Sequence, residues 1–139
     1  MNLMKTEETI RNNFKAFVGE DEIINLVCLK MEENPEDNTH MIELVRGDLF
    51  KIFDENPQKR YCVLVDMLPI GKINRYGFSP QTRKIGAQIM NHRQLEKGAL
   101  VTPSLFVKTV VEFIVAVVGK KDFIKIFFNK EEALKWLKK

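Results

Sequence analysis

The sequence is poor in cysteine and histidine, with two of each among 139 residues. Cys28 and Cys62 stand in separate apolar runs, without a CxxC spacing or a nearby histidine, and are interpreted as core thiols. His40 and His92 fall at a predicted helix start and a predicted helix end, where we expect surface positions. No metal site and no disulfide framework is predicted.

Motifs that identify common enzymes are also missing. The sequence contains no Walker A, GxGxxG, GxSxG or HExxH pattern. The acidic pairs Asp54-Glu55 and Glu131-Glu132 fall at predicted helix ends, where solvated or capping acids are typical. The sequence therefore predicts a protein that is not an enzyme and needs no cofactor.

No apolar run has the length of a membrane span. The most apolar stretch, 105–118, is interrupted by Lys108 and Glu112 and is shorter than the roughly 20 residues that cross a bilayer. The first thirteen residues lack the apolar centre of a secretory signal, so a cytoplasmic location is expected. A net charge of +3 is too small to predict a nucleic-acid partner.

The first half of the sequence predicts a β-hairpin followed by a helix. Apolar runs at 14–18 and 23–29 flank a polar turn, in which Gly19 is expected to supply the positive φ. Apolar residues then recur at helical spacing over 41–53, after a polar segment with capping residues. Asn56-Pro57 ends this helix, because proline cannot continue the hydrogen-bond ladder.

The second half alternates strands and helices. The continuous apolar run 61–65 predicts a central parallel strand, and Ser79-Pro80 predicts the start of a helix, in which Gly86 is expected to mark a close helix approach. A short strand at 98–102, the apolar helix that Gly119 closes, and a strand at 123–128 follow. Asn129 with Glu132 then predicts a capped C-terminal helix.

The element order β-β-α-β-α-β-α-β-α predicts an α/β fold, with a mixed five-stranded sheet and four helices. We expect a single domain over residues 1–139, with residues 1–12 as a weakly ordered segment.

The element order resembles the STAS superfamily (sulfate transporter and anti-sigma-factor antagonist). Three segments carry the resemblance: 61–66, 98–102 with the apolar helix after it, and 127–137 with its Glu-Glu-Ala-Leu-x-Trp-Leu ending. The likeness covers about residues 14–139. It implies a small stand-alone bacterial regulatory or protein-interaction module of the anti-sigma-factor-antagonist kind, and a homodimer or a regulatory protein as partner.

Antagonists of this superfamily carry an Asp-Ser-Gly signature at a helix start, where a partner kinase phosphorylates the serine. This chain has Phe78-Ser79-Pro80 in the matching region and lacks the signature. Phosphorylation of Ser79 is physically reasonable, because a helix N-terminus stabilises negative charge and Arg83 and Lys84 follow closely. The alternative is that Ser79 is only the N-cap of its helix.

A candidate site follows from the fold rule that ligands bind outside the carboxyl ends of parallel strands. Helix N-termini and cationic side chains in this region suit an anion such as phosphate. The alternative is that these residues only cap helices and bind loop amides. The candidate ligand-binding or partner-binding residues are Asp66, Lys72, Arg75, Ser79, Thr82, Thr102 and Ser104.

The helix over 104–118 is apolar nearly all round, whereas a helix on one sheet face needs a single apolar side. A second subunit, a partner or a lipid-like ligand would cover the remainder, or neighbouring helices, including the one that bears Trp136, would bury it within the monomer. Two functions stay open. One is a phospho-switchable interaction module, and the other is a carrier or sensor of a small apolar or nucleotide-like ligand.

Overall fold

The computed structural model describes residues 5–70 and 78–139, and it contains a mixed five-stranded sheet with helices on both faces. The predicted α/β fold class is confirmed. The strands are β1 (Phe14–Val18), β2 (Ile24–Cys28), β3 (Tyr61–Asp66), β4 (Leu95–Val101) and β5 (Ile124–Phe127). The helices are α1 (Glu7–Arg11), α2 (Pro35–Glu55), α3 (Pro80–Met90), α4 (Leu105–Val118) and α5 (Lys130–Leu137), with a 3₁₀ turn at Leu68–Ile70.

The sheet has the spatial order β1-β2-β3-β4-β5, so β3 is central, as its continuous apolar run predicts. Strands β1 and β2 are antiparallel, and the next three pairs are parallel. Each of the three crossovers moves one strand along the sheet in the same direction. Because such crossovers are right-handed, α2, α3 and α4 lie on one face.

The two sheet faces have separate apolar cores. Val63 points towards α2 and α4 and packs in a cluster centred on Phe53 and Val107. Leu64 points to the opposite face, where Ala133 and Leu137 of α5 cover it. Side chains that alternate along a strand thus supply both layers.

Helix α1 was not expected, because residues 1–12 were predicted to be weakly ordered. The Thr6 hydroxyl accepts the backbone N–H of Thr9 and caps the helix, while Ile10 is completely buried. The Arg11 guanidinium also pairs with Asp48 of α2 at 2.9 Å. Residues 7–11 thus form a very short helix, which one buried isoleucine anchors.

The hairpin turn differs from the prediction in its backbone conformation. Glu22, and not Gly19, takes the positive φ, at 65°. A Cβ atom on Gly19 would lie 2.9 Å from Asp21 Oδ1, so a larger residue there would require the Asp21 side chain to shift. The turn is closed by a hydrogen bond from the Gly19 N–H to the Ile23 carbonyl.

Two further elements begin earlier than predicted. Helix α2 starts at Pro35, where the Asn34 side chain accepts the N–H of Glu36. Strand β4 starts at Leu95, which pairs with Tyr61, although Glu96 and Lys97 give this part no apolar alternation. No helix in the described part of the chain has the length and apolar character needed to span a membrane.

Candidate functional site: an apolar cavity beneath three helices

Two of the predicted site residues end strands and are held by their own loops. Asp66 closes β3, and its carboxylate accepts the Leu68 N–H at 3.0 Å, while its other oxygen lies 3.9 Å from the Lys130 ammonium at the start of α5. Thr102 follows β4, is completely buried, and accepts the Ser104 N–H at 3.2 Å. Both side chains therefore stabilise turns.

Two others cap helices. Ser104 accepts the Val107 N–H and begins α4, and Ser79 accepts the Thr82 N–H and begins α3, each at 3.2 Å. The N-cap prediction for Ser79 is confirmed. Phosphorylation of this serine stays a prediction.

Thr82 links two helices. Its hydroxyl lies 3.3 Å from the Thr39 hydroxyl of α2, which is itself 3.4 Å from that of Ser79. The three hydroxyls join α2 to the start of α3. Lys72 and Arg75 of the predicted site lie outside the described residues.

The structure shows a cavity of about 220 Å³ between the sheet and α2, α3 and α4. Leu26 and Val65 form part of its floor, and Ile42, Val45, Ile89 and Val111 lie among its walls. It exceeds the roughly 150 Å³ cavity that stays dry and takes up benzene in an engineered protein. Among the predicted site residues that the structure describes, only Thr82 lines it.

Methionines are concentrated in the lining. Four of the six in the sequence fall within the described residues, and all four, Met31, Met41, Met67 and Met90, line the cavity. Methionine is unbranched and polarisable, so it adapts to ligands of different shape and is common at permissive binding surfaces. A signal for this site was thus present in the sequence, but methionines at 31, 41, 67 and 90 share no local motif.

Two glycines help to leave the space open. Gly86 of α3 lines the cavity, and a Cβ atom placed on it would have no heavy atom within 4 Å. The prediction that Gly86 marks a close helix approach is therefore wrong. Gly98 of β4 also lines the cavity and adds no side chain to the floor.

Among the described residues, the lining has four polar side chains and no acidic one: Lys30, Asn38, Thr82 and Arg83. We call them the polar rim, and they lie on segments that follow the carboxyl ends of β2 and β3, where ligands of open α/β sheets usually bind. The Asn38 side chain forms hydrogen bonds within the protein, since it accepts from the Glu32 backbone N–H and donates to the Glu32 carbonyl. Lys30 lies at 3.9 Å from the Glu32 carboxylate.

Cys28 lines the cavity at the end of β2. Burial, together with the smaller effect of the negative charge of Asp66, raises the pKa of its thiol to about 12. The thiolate is the nucleophilic form, so at neutral pH Cys28 is a neutral apolar wall residue. This agrees with its interpretation as a core thiol.

His92 was expected at the surface, but it packs against aromatic side chains. Its ring centroid lies 4.7 Å from that of Phe50 and 4.4 Å from that of Phe53. Burial lowers the pKa of His92, and the charge of Arg93 lowers it further. Its Nδ1 accepts the Gln94 backbone N–H, so the imidazole is a neutral structural group.

Over residues 5–70 and 78–139, no three histidine, cysteine or acidic side chains come together as a metal site. A comparison of the chain with models of known protein families, with curated proteins and with solved structures finds no match.

Proposed function

We propose that this protein binds a small apolar ligand in the cavity beneath α2, α3 and α4, and that it acts as a carrier or sensor of that ligand. The observation that carries the proposal is the cavity itself, with about 220 Å³ lined, among the described residues, almost entirely by apolar side chains. The interior of a protein of this size is normally close-packed and contains few voids larger than a water molecule.

An apolar ligand is a more favourable occupant of the cavity than water. An empty cavity forfeits the dispersion contacts of its lining atoms, and water gains few hydrogen bonds among methionine, leucine and valine side chains. An apolar ligand restores those contacts and removes its own surface from water, at about 25 cal/mol per Å². Binding of such a ligand therefore stabilises the fold.

Filling the cavity from within tests the proposal. Gly86→Leu places an isobutyl group where the structure leaves open space, so we expect the dissociation constant of 1-decanol to rise at least about tenfold. The free energy of unfolding should not fall, since replacing a mid-helix glycine gains about 0.5–1 kcal/mol. Isothermal titration calorimetry and urea unfolding measure the two quantities.

Gly47→Leu is the matched control. Gly47 also lies inside a helix with nothing within 4 Å of its Cβ position, but it is exposed on α2 and away from the cavity. It should gain the same helical propensity and leave decanol affinity unchanged. If 1-decanol binds Gly86→Leu as tightly as it binds the unmodified protein, the cavity is not the binding site.

A second candidate function rests on a separate observation, the exposed apolar side of α4. Leu105 and Val117 are each 70% exposed, and Phe113 is 65% exposed. Helix α5, with Trp136, packs on the opposite sheet face, and these exposed fractions contradict the alternative that neighbouring helices bury this side of α4 within the monomer. We propose that this surface binds a second copy of the chain, as in the interaction-module function that the STAS resemblance implies. In this proposal Ser79, at the start of α3, is the phosphorylation site.

This candidate predicts self-association through α4. Phe113→Ser should raise the dimer dissociation constant at least about tenfold, because exposed aromatic anchors dominate interface energetics. Phe17→Ser is the control, since Phe17 is 48% exposed on β1, far from α4 in the sheet order. Sedimentation equilibrium measures both variants, and a protein that stays monomeric at all concentrations contradicts the dimer.

A further inference from the structure

We infer that the ligand of the cavity is an amphiphile with an anionic headgroup, a carboxylate or a phosphate, which Arg83 of the polar rim binds while the apolar tail fills the cavity. This inference rests on the proposed function, since it names the class of ligand for the same site.

Arg83 has unused capacity for hydrogen bonding and ion pairing. Its Nε atom is buried, and among the described residues it has no hydrogen-bond partner. No described carboxylate forms an ion pair with its guanidinium, whereas Arg11 has both Glu7 and Asp48. A buried donor without an acceptor costs free energy, and an acceptor on a ligand removes that cost.

The charged residues of the polar rim are cations. Lys30 and Arg83 are cationic, Asn38 has its amide engaged within the protein, and Thr82 is neutral. Because no described carboxylate lines the cavity, a cationic headgroup would be repelled by Lys30 and Arg83. An anion would meet two cations and a planar guanidinium, which binds carboxylate and phosphate through paired hydrogen bonds.

The position of Arg83 on α3 also favours a bound anion. It lies in the first turn, where the helix dipole is positive, and this turn contains no acidic residue. Helices α2 and α5 each have two acidic residues in the same place. A cation at a helix N-terminus is unfavourable by itself, so the first turn of α3 favours a bound anion.

The test uses the full chain and three probes that share a ten-carbon tail: 1-decanol, decanoate and decyl phosphate. Near neutral pH the last two are anions. We expect the tighter of the two anions to bind at least about tenfold more tightly than 1-decanol, since hydrogen bonds to charged groups are the stronger class. The anion that binds more tightly identifies the headgroup as carboxylate or phosphate.

Variants at Arg83 locate the contact. Arg83→Met should remove the tenfold preference for the anion and leave 1-decanol affinity within about twofold, while Arg83→Lys should keep part of the preference. Lys84→Met is the matched control, because Lys84 is the exposed neighbouring cation on α3 and does not line the cavity. It should bind the anion as the unmodified protein does.

The outcomes separate this inference from the function on which it rests. If 1-decanol binds as tightly as both anions, or if Arg83→Met keeps the full preference, the role of Arg83 is refuted and the apolar cavity stands. If none of the three probes binds, the proposed function fails, and the inference about the headgroup fails with it.

Discussion

Phe53→Ala is expected to lower the free energy of unfolding by about 3–5 kcal/mol, the usual cost of removing a buried aromatic side chain. Phe53 has no solvent exposure and lies at the meeting point of α2, β3 and the turn before β4. Its ring is 5.8 Å from that of Tyr61 and 4.4 Å from that of His92. Alanine would leave both neighbours facing a void that the rigid sheet cannot close.

Urea unfolding followed by circular dichroism measures this change. Phe113→Ala is the control, because it removes the same ring from a site that is 65% exposed, and surface substitutions usually change stability by less than about 0.5 kcal/mol. The measurement should use dilute protein, so that any self-association through α4 does not contribute. Equal losses for the two variants would show that Phe53 is not in the core.

Gln94→Leu is expected to cost about 2–4 kcal/mol, although it replaces a polar side chain with an apolar one of similar size. The Gln94 side chain is buried, and its Nε2 donates to the carbonyls of Phe53, Asn56 and Lys59 at 2.8, 3.0 and 2.9 Å. These carbonyls belong to the last turn of α2 and the loop after it. Leucine would remove this donor from all three carbonyls, of which that of Phe53 is buried.

The same denaturation experiment measures the Gln94 variant. Gln81→Leu is its control, because Gln81 is an exposed glutamine in the first turn of α3. We expect the Gln94 variant to unfold at markedly lower urea and the Gln81 variant to be unchanged. A Gln94→Leu protein as stable as its parent would mean that water or the loop itself satisfies the three carbonyls.

The sequence predicted the elements whose signals are local. The apolar run at 61–65 gave the central strand β3, and Ser79-Pro80 and Asn129 gave the caps of α3 and α5. Such signals need only neighbouring residues, because capping and alternation are properties of a few consecutive positions. Helix α1 was not predicted from the sequence, because it depends on the burial of Ile10 by other parts of the fold.

The candidate site was predicted only in part, because it depends on residues that are distant in sequence. Thr82 was among the predicted candidates, but the rule for strand ends also selected Asp66, Thr102 and Ser104, which serve turns and caps. The cavity is lined by residues of three helices and of the sheet, among them Gly86 and Gly98 on different elements. No spacing in the sequence reports that residues so far apart line one cavity.

The central claim is that the space under α2, α3 and α4 holds an apolar ligand. Methyl NMR of protein labelled with [¹³C-methyl]methionine tests this most directly, because the four described methionines all line the cavity. On titration with 1-decanol, the account predicts shifted signals for Met31, Met41, Met67 and Met90, with nuclear Overhauser effects from these methyls to the alkyl chain. Unchanged signals for these four methionines at saturating 1-decanol would contradict it.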